Sequence, residues 1–280
     1  MTLNWLLAIY CALVLMASLM GGWLLLFIHL THTRLQTAVS FVAGLMLGIA
    51  LLHFLPDADE QLHSLDKTAA WMLGGFLAMF FVQRFFHFHH HDLPEGDPED
   101  CCGHEHAHGQ HHDDEHAHTL ADKSAKQLSW VGTALGLTFH SLLDGLALAA
   151  SMEAGKHGSS KISGLGVALV VILHKPFDAM AVSTLMAASG SSKFSRHILN
   201  GLFALATPVG AVLFYFGANY FLGPDVPVLG CALAFCAGSF LCIAASDLLP
   251  ELQFHSHDRG KLSVALLAGI AVAIVIGLFE

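Results

Sequence analysis

Charged side chains are scarce in this sequence. Asp, Glu, Lys and Arg make up 12 % of its 280 residues, about half of the roughly 25 % usual in soluble globular domains. Hydrophobic residues make up 55 %, and mean hydropathy is +0.61. An ordinary soluble domain is thereby excluded, and a polytopic membrane protein is implied. Basic charge is scarcer still: 12 Lys and Arg against 22 Asp and Glu give a net charge of -10, which leaves no footprint for nucleic acid. Of the 6 cysteines, Cys11, Cys231, Cys236 and Cys242 fall inside apolar runs, and Cys101 and Cys102 lie together in a polar stretch. No extracellular disulfide framework is implied. A basic segment before the first apolar run is also missing. The chain starts Met1-Thr-Leu-Asn, and the run that follows is longer than the core of a signal peptide, so it reads as a retained span.

What the chain has in abundance is apolar runs near the ~20 residues that cross a bilayer as a helix. Eight are present: Leu3 to Leu30, Thr37 to Leu55, Ala69 to Phe86, Leu128 to Ala150, Ile162 to Ala188, His197 to Leu222, Val226 to Leu249 and Leu262 to Phe279. The expected fold is an all-α integral membrane protein of eight transmembrane helices. Residues 1–86 hold spans one to three, and 87–127 form a long His-rich cytoplasmic loop. Residues 128–280 hold spans four to eight, which join 1–86 in one membrane domain. Arg34, Arg84, Lys123, Lys126, Lys193, Arg196, Arg259 and Lys261 fall on one side, and Lys67, Lys156 and Lys161 on the other. The richer side reads as cytoplasmic, with both termini outside.

The second and seventh runs repeat one another without a gap. Ala43-Gly, Leu47, Ile49-Ala and Leu55-Pro-Asp57 in the first answer to Ala237-Gly, Leu241, Ile243-Ala and Leu249-Pro-Glu251 in the other. Because one span runs outward and the other inward, this is an inverted repeat, a pattern of secondary transporters whose substrate sites lie near mid-membrane.

Two further runs carry the chemistry. The fourth holds His140-Ser-Leu-Leu-Asp144 and the fifth His174-Lys-Pro-Phe-Asp178. A His and an Asp four apart share one helical face. Asp144, Lys175 and Asp178 at bilayer depth cost roughly 2.5–3.5 kcal/mol each, about 8–10 if summed. A divalent ion gripped by two imidazoles and two carboxylates offsets that cost, and the donor set suits Zn²⁺, Fe²⁺ or Mn²⁺. Pro176 is expected to loosen its helix and free a carbonyl toward the site. Hydrogen bonding among core polar residues is the plainer alternative.

Between His87 and His118 stand eleven His and nine acidic residues, with almost nothing apolar. This loop is expected to be disordered. Cys101, Cys102, His104, His106, His108, His111, His112, His116 and His118 are candidate ligands for soft and borderline metals where an imported ion would emerge, although their spacing matches no closed zinc framework. On the other side, Asp57, Asp59, Glu60, His63 and Asp66 form an acidic rim that would concentrate cations.

In this order, the eight spans, the His-rich loop after the third, the two H-x-x-x-D faces and the Leu-Pro-acid endings resemble the ZIP family (Zrt/Irt-like proteins) of divalent metal transporters over nearly the whole chain. The resemblance implies uptake into the cytoplasm by alternating access, spans one, four, five and six moving against two, three, seven and eight. It implies His140, Asp144, His174 and Asp178 as ligands of the main metal site, with Met46 as a further soft side chain from span two. Many members hold a second ion at positions occupied here by Ser141, Lys175 and Thr207. These replacements imply a single ion, with the Lys175 ammonium as a tethered substitute charge. His53, Asp57, Asp247 and Glu251 are candidate path residues. The expected transported substrate is Zn²⁺, with Fe²⁺, Mn²⁺ or Cd²⁺ as alternatives, and no catalytic cofactor or enzymatic activity is expected. Metal ions and the lipid bilayer are the expected partners, a homodimer is one assembly consistent with them, and a plasma or bacterial inner membrane is the expected location. Two other classes use similar residues, an intramembrane zinc hydrolase and a cation-diffusion-facilitator exporter. The exporter class has six spans and a soluble C-terminal metal domain, and the hydrolase needs an open three-ligand site.

Overall fold

A computed structural model describes residues 3–27, 32–86, 114–155, 163–221, 227–245 and 259–278. Among them every long element is helical: α1 Leu3–Phe27, α2 His32–Ile49, α3 Leu55–Leu62, α4 Leu65–Phe86, α5 Asp114–Ala154, α6 Leu165–Ala188, α7 Lys193–Phe221, α8 Val228–Ile243 and α9 Arg259–Gly277. In a bilayer core the backbone has no water to bond, so helices that satisfy their own N–H and C=O groups are the available solution. Among the described residues seven spans are long and apolar enough to cross a membrane, α2 and α3 counting as one through the π-helical turn Ala50–Phe54 that joins them; α8 is a shorter apolar helix. Large apolar side chains such as Trp5, Leu73, Phe85, Leu213, Phe216 and Leu267 are exposed on the outside of the bundle. Facing lipid, they need no protein partner.

Where the structure departs from the expected boundaries, local chemistry explains it. α5 reaches back to Asp114, through residues 114–127 that composition assigns to the loop. That segment holds three Ala and two Lys, with Asp114 and Glu115 at its start, which suits helix propensity and, through the two acids, the N-terminal end of the helix dipole. Residues 87–113, including Cys101, Cys102, His104, His106, His108, His111 and His112, lie outside the described residues, as do Asp247 and Glu251. His116 and His118 fall in the first turns of α5. α6 and α7 continue through Pro176 and Pro208. Between them the chain turns tightly, with Gly190 at φ 79° and the Ser192 hydroxyl accepting the Ser195 N–H at 3.1 Å as an N-cap.

The inverted repeat is visible in backbone geometry. Ala50 opens the π turn of the first copy, and Ala244 and Ala245, which align with Ala50 and Leu51, are π-helical in the second.

The helices associate closely in four pairs: α2 with α9, α4 with α8, α5 with α7, and α1 with α6. Three of these pairs exchange glycines. A Cβ on Gly44 would strike the Leu266 backbone and one on Gly269 the Phe41 backbone; Gly75 and Gly238 stand likewise to Phe235 and Met72, and Gly145 and Gly210 to Thr207 and Leu142. Small residues let two backbones touch, which drives association where lipid removes the hydrophobic incentive. In the fourth pair Gly21 lies directly on the Pro176 backbone. α1, α5, α6 and α7 contact one another more than they contact α2, α3, α4, α8 and α9, so the bundle has two halves. The candidate site lies within the first half, on α5 and α6.

Candidate metal site

His140 and Asp144 project from one face of α5, and His174 and Asp178 from one face of α6. One ligand atom from each of the four lies within 4.8 Å of all the others. Asp144 is fully buried, His140 and His174 nearly so, and the Asp178 side chain is 16 % exposed, which leaves it as the open side of the cluster. His174 Nε2 stands 3.2 Å from Asp144 Oδ2 and 3.8 Å from Asp178 Oδ2; His140 Nε2 stands 3.8 Å from Asp178 Oδ2. A tetrahedral ion with bonds of about 2.0–2.2 Å separates its ligand atoms by roughly 3.3–3.6 Å. The three contacts of 3.2–3.8 Å lie near that range, while the four atoms together spread over as much as 4.8 Å, so the cluster has to contract to close the shell.

The imidazoles are oriented from behind. His174 Nδ1 donates to the Val170 carbonyl at 2.8 Å, which leaves Nε2 as the lone-pair nitrogen that a metal needs. His140 stacks on His174 with centroids 5.3 Å apart. Its Nδ1 faces Asp144 Oδ1 at 3.6 Å, and these two buried atoms have no hydrogen-bond partner. A contraction of about half an ångström would make that pair an Nδ1–H···Oδ1 bond. Asp144 thus presents one oxygen to His174 and the other to His140.

Lys175 completes the cluster. Its Nζ donates to Asp144 Oδ2 and, at 2.8 Å, to the Ser141 hydroxyl; Asp178 Oδ2 lies 3.5 Å away and the Phe203 ring centroid 5.6 Å. Ser141 passes its own proton to the Leu137 carbonyl at 2.7 Å. Thr207 lies across from Gly145, fully buried, its hydroxyl without a hydrogen-bond partner.

Set against these distances, the comparisons with known proteins are decisive about class. The family model described as ZIP Zinc transporter matches residues 3–277. The chain belongs to the ZIP family. Among its relatives, zinc transporter ZIP9 of Micropogonias undulatus is 24 % identical, covering 94 % of this chain and 92 % of its own length. Zinc transporter ZIP9-A of Xenopus laevis is 25 % identical over 94 % and 91 %. Human zinc transporter ZIP4 is 27 % identical over 89 % of this chain and 44 % of its own length. As a ZIP protein the chain is an integral, multi-pass membrane transporter of divalent metal, not an enzyme. That sets aside the zinc hydrolase and the cation-diffusion-facilitator exporter.

The remaining candidates of this ZIP chain stand as follows. Met46 is buried in the apolar core on α2. His53, in the π turn, donates from Nε2 to the Ala273 carbonyl of α9 at 2.9 Å, which ties it to a neighbouring helix rather than to the cluster. Asp57 stands half-buried in the first turn of α3. In the acidic rim, Asp59 accepts the Thr68 hydroxyl at 3.3 Å and His63 ends α3 in a left-handed conformation. Sequence reasoning missed Phe203 beside the ammonium and the Val170 carbonyl behind His174. The second had a signal, since a residue four before a His can accept from its Nδ1.

Proposed function

We propose that the chain imports one divalent transition-metal ion at a time, zinc first and iron(II), manganese(II) or cadmium as alternatives, into the cytoplasm through His140, Asp144, His174 and Asp178. The observation that carries this reading is the convergence of four ligand atoms within 4.8 Å on two neighbouring helices. The relatives named as zinc transporters favour zinc. The division into two halves suits a movement of α1, α5, α6 and α7 against the rest, and the basic loops favour a cytoplasmic release side with both termini outside, in a plasma or bacterial inner membrane. The Lys175 ammonium, where a second cation would sit, favours a single ion. The His-rich loop then receives the ion on the release side.

The test is uptake into liposomes with an internal metal-sensing dye, comparing Zn²⁺, Fe²⁺, Mn²⁺, Co²⁺ and Cd²⁺. Each of His140→Ala, Asp144→Ala, His174→Ala and Asp178→Ala is expected to cut initial uptake at least about 10–100-fold, the scale of losing a metal contact, with the protein still inserted. Wild-type uptake in two or more of the four would sink the assignment.

A further inference from the structure

Lys175 is among the largest fully buried side chains of the protein. A buried ammonium persists only where it is paired, and the oxygens chosen here matter. Nζ donates to Asp144 Oδ2 and approaches Asp178 Oδ2 at 3.5 Å. Asp144 Oδ2 is the oxygen facing His174 Nε2, and Asp178 Oδ2 is the oxygen facing both imidazoles. The ammonium therefore lies on the carboxylate oxygens that an ion between the two rings would use. A dication and an ammonium on the same oxygens would stand within a few ångströms of each other in a low-dielectric setting, where their repulsion is strong.

We propose that Lys175 is a built-in competitor of the transported ion. It rests on the Asp144 and Asp178 oxygens when the site is empty, is displaced when a dication arrives, and returns to drive the ion off at release. This rests on the four-residue cluster being the ion's site. The displaced ammonium has a destination. Ser141 and Gly145 share one face of α5, and the Thr207 backbone carbonyl lies across from Gly145; the Thr207 hydroxyl is buried without a hydrogen-bond partner, and the Phe203 ring centroid lies 5.6 Å from Nζ. Nζ can slide from Asp144 toward Thr207 while keeping the Ser141 hydroxyl. The lysine stays charged throughout, and no proton needs to cross. A monovalent ion gains too little from the two carboxylates to expel an equal charge, so the competitor selects for dications. An empty carrier also never presents two unpaired carboxylates to the membrane interior.

The experiment is the concentration dependence of initial Zn²⁺ uptake by the full-length chain in liposomes. Lys175→Met, of similar length and uncharged, is expected to lower KM at least about tenfold and to lower the maximal rate several-fold, because the ion binds unopposed and leaves slowly. Thr207→Val removes the destination while conserving shape and is expected to raise KM several-fold. The zinc-induced rise in unfolding midpoint is expected to be larger for K175M than for wild type, a readout that survives slow transport. If His140→Ala abolishes saturable uptake while K175M leaves KM and the zinc-induced stabilisation unchanged or weaker, the competitor is overturned with the site intact. If Thr207→Val leaves KM unchanged, the proposed destination is wrong. If His140→Ala transports like wild type, the site itself is misread.

Discussion

At the scale of single residues, chemistry that would be costly in a bilayer is concentrated in one place. His140, Asp144, His174, Lys175 and Asp178 converge across α5 and α6. Changing Ser141, Lys175 and Thr207 together is the sharpest test of the proposal that the site takes one dication. Lys175→Asp with Ser141→Asn and Thr207→Glu is expected to raise the metal bound by one ion relative to the parent chain, both lacking residues 94–112, so that the His left in the loop count equally in each. The physical reason is charge. Two carboxylates and one ammonium total about -1 with neutral imidazoles, so one dication brings about +1 and a second about +3. An unchanged metal content in the triple variant would count against that account. The His-to-Asp pairs were legible because four residues slightly exceed one helical turn and return to the same face. Lys175 was legible only in part. From its spacing it belongs beside Asp178, three residues on in the same helix, yet it donates to Asp144 of the neighbouring helix, and no one-helix pattern encodes a long side chain reaching across.

At the scale of elements, helix pairing depends on where a hydrogen replaces a methyl. Gly74 and Gly75 are adjacent on α4, but a Cβ on Gly75 would collide with the Phe235 backbone of α8, while one on Gly74 meets nothing within 4 Å. Gly75→Ala is expected to destabilise by about 1–3 kcal/mol, the usual range for overpacking. Gly74→Ala is expected to be neutral or to stabilise by up to about 1 kcal/mol through lost backbone freedom in the unfolded chain. Thermal unfolding in detergent, run on both variants, would contradict the pairing if the two midpoints moved alike. Apolar run length was enough to read the eight elements, since a bilayer permits few alternatives. The start of α5 was not legible: a segment full of His and acids reads as loop by composition, although Ala, Leu and Lys favour a helix once a long span follows to nucleate it. The π turn was also invisible, because Ala50–Phe54 is apolar like its surroundings.

At the scale of the whole molecule, the contact pattern makes two halves with the site inside one of them. Among the described residues the burial that holds these halves together comes from the helices; the composition of residues 94–112 is polar and acidic. Removing residues 94–112 is expected to leave insertion and initial Zn²⁺ uptake within about twofold of wild type while lowering the metal retained on the release side. Uptake lost altogether on that deletion would place the loop in the path itself.

The wide turn at Ala50–Phe54 has a consequence best stated as phase. Below it, Phe41, Gly44 and Gly48 keep the usual three- and four-residue beat against α9, which would next fall on Leu52. The beat instead lands one residue late: Leu51 and Leu52 face outward, 37 % and 49 % exposed, and His53 meets Ala273 and Gly277. The helix is therefore two rods spliced with a one-residue delay. In the seventh span Ala244 and Ala245, at the positions matching Ala50 and Leu51, take the same wide turn, so the two copies open their splice at the same point of the repeat.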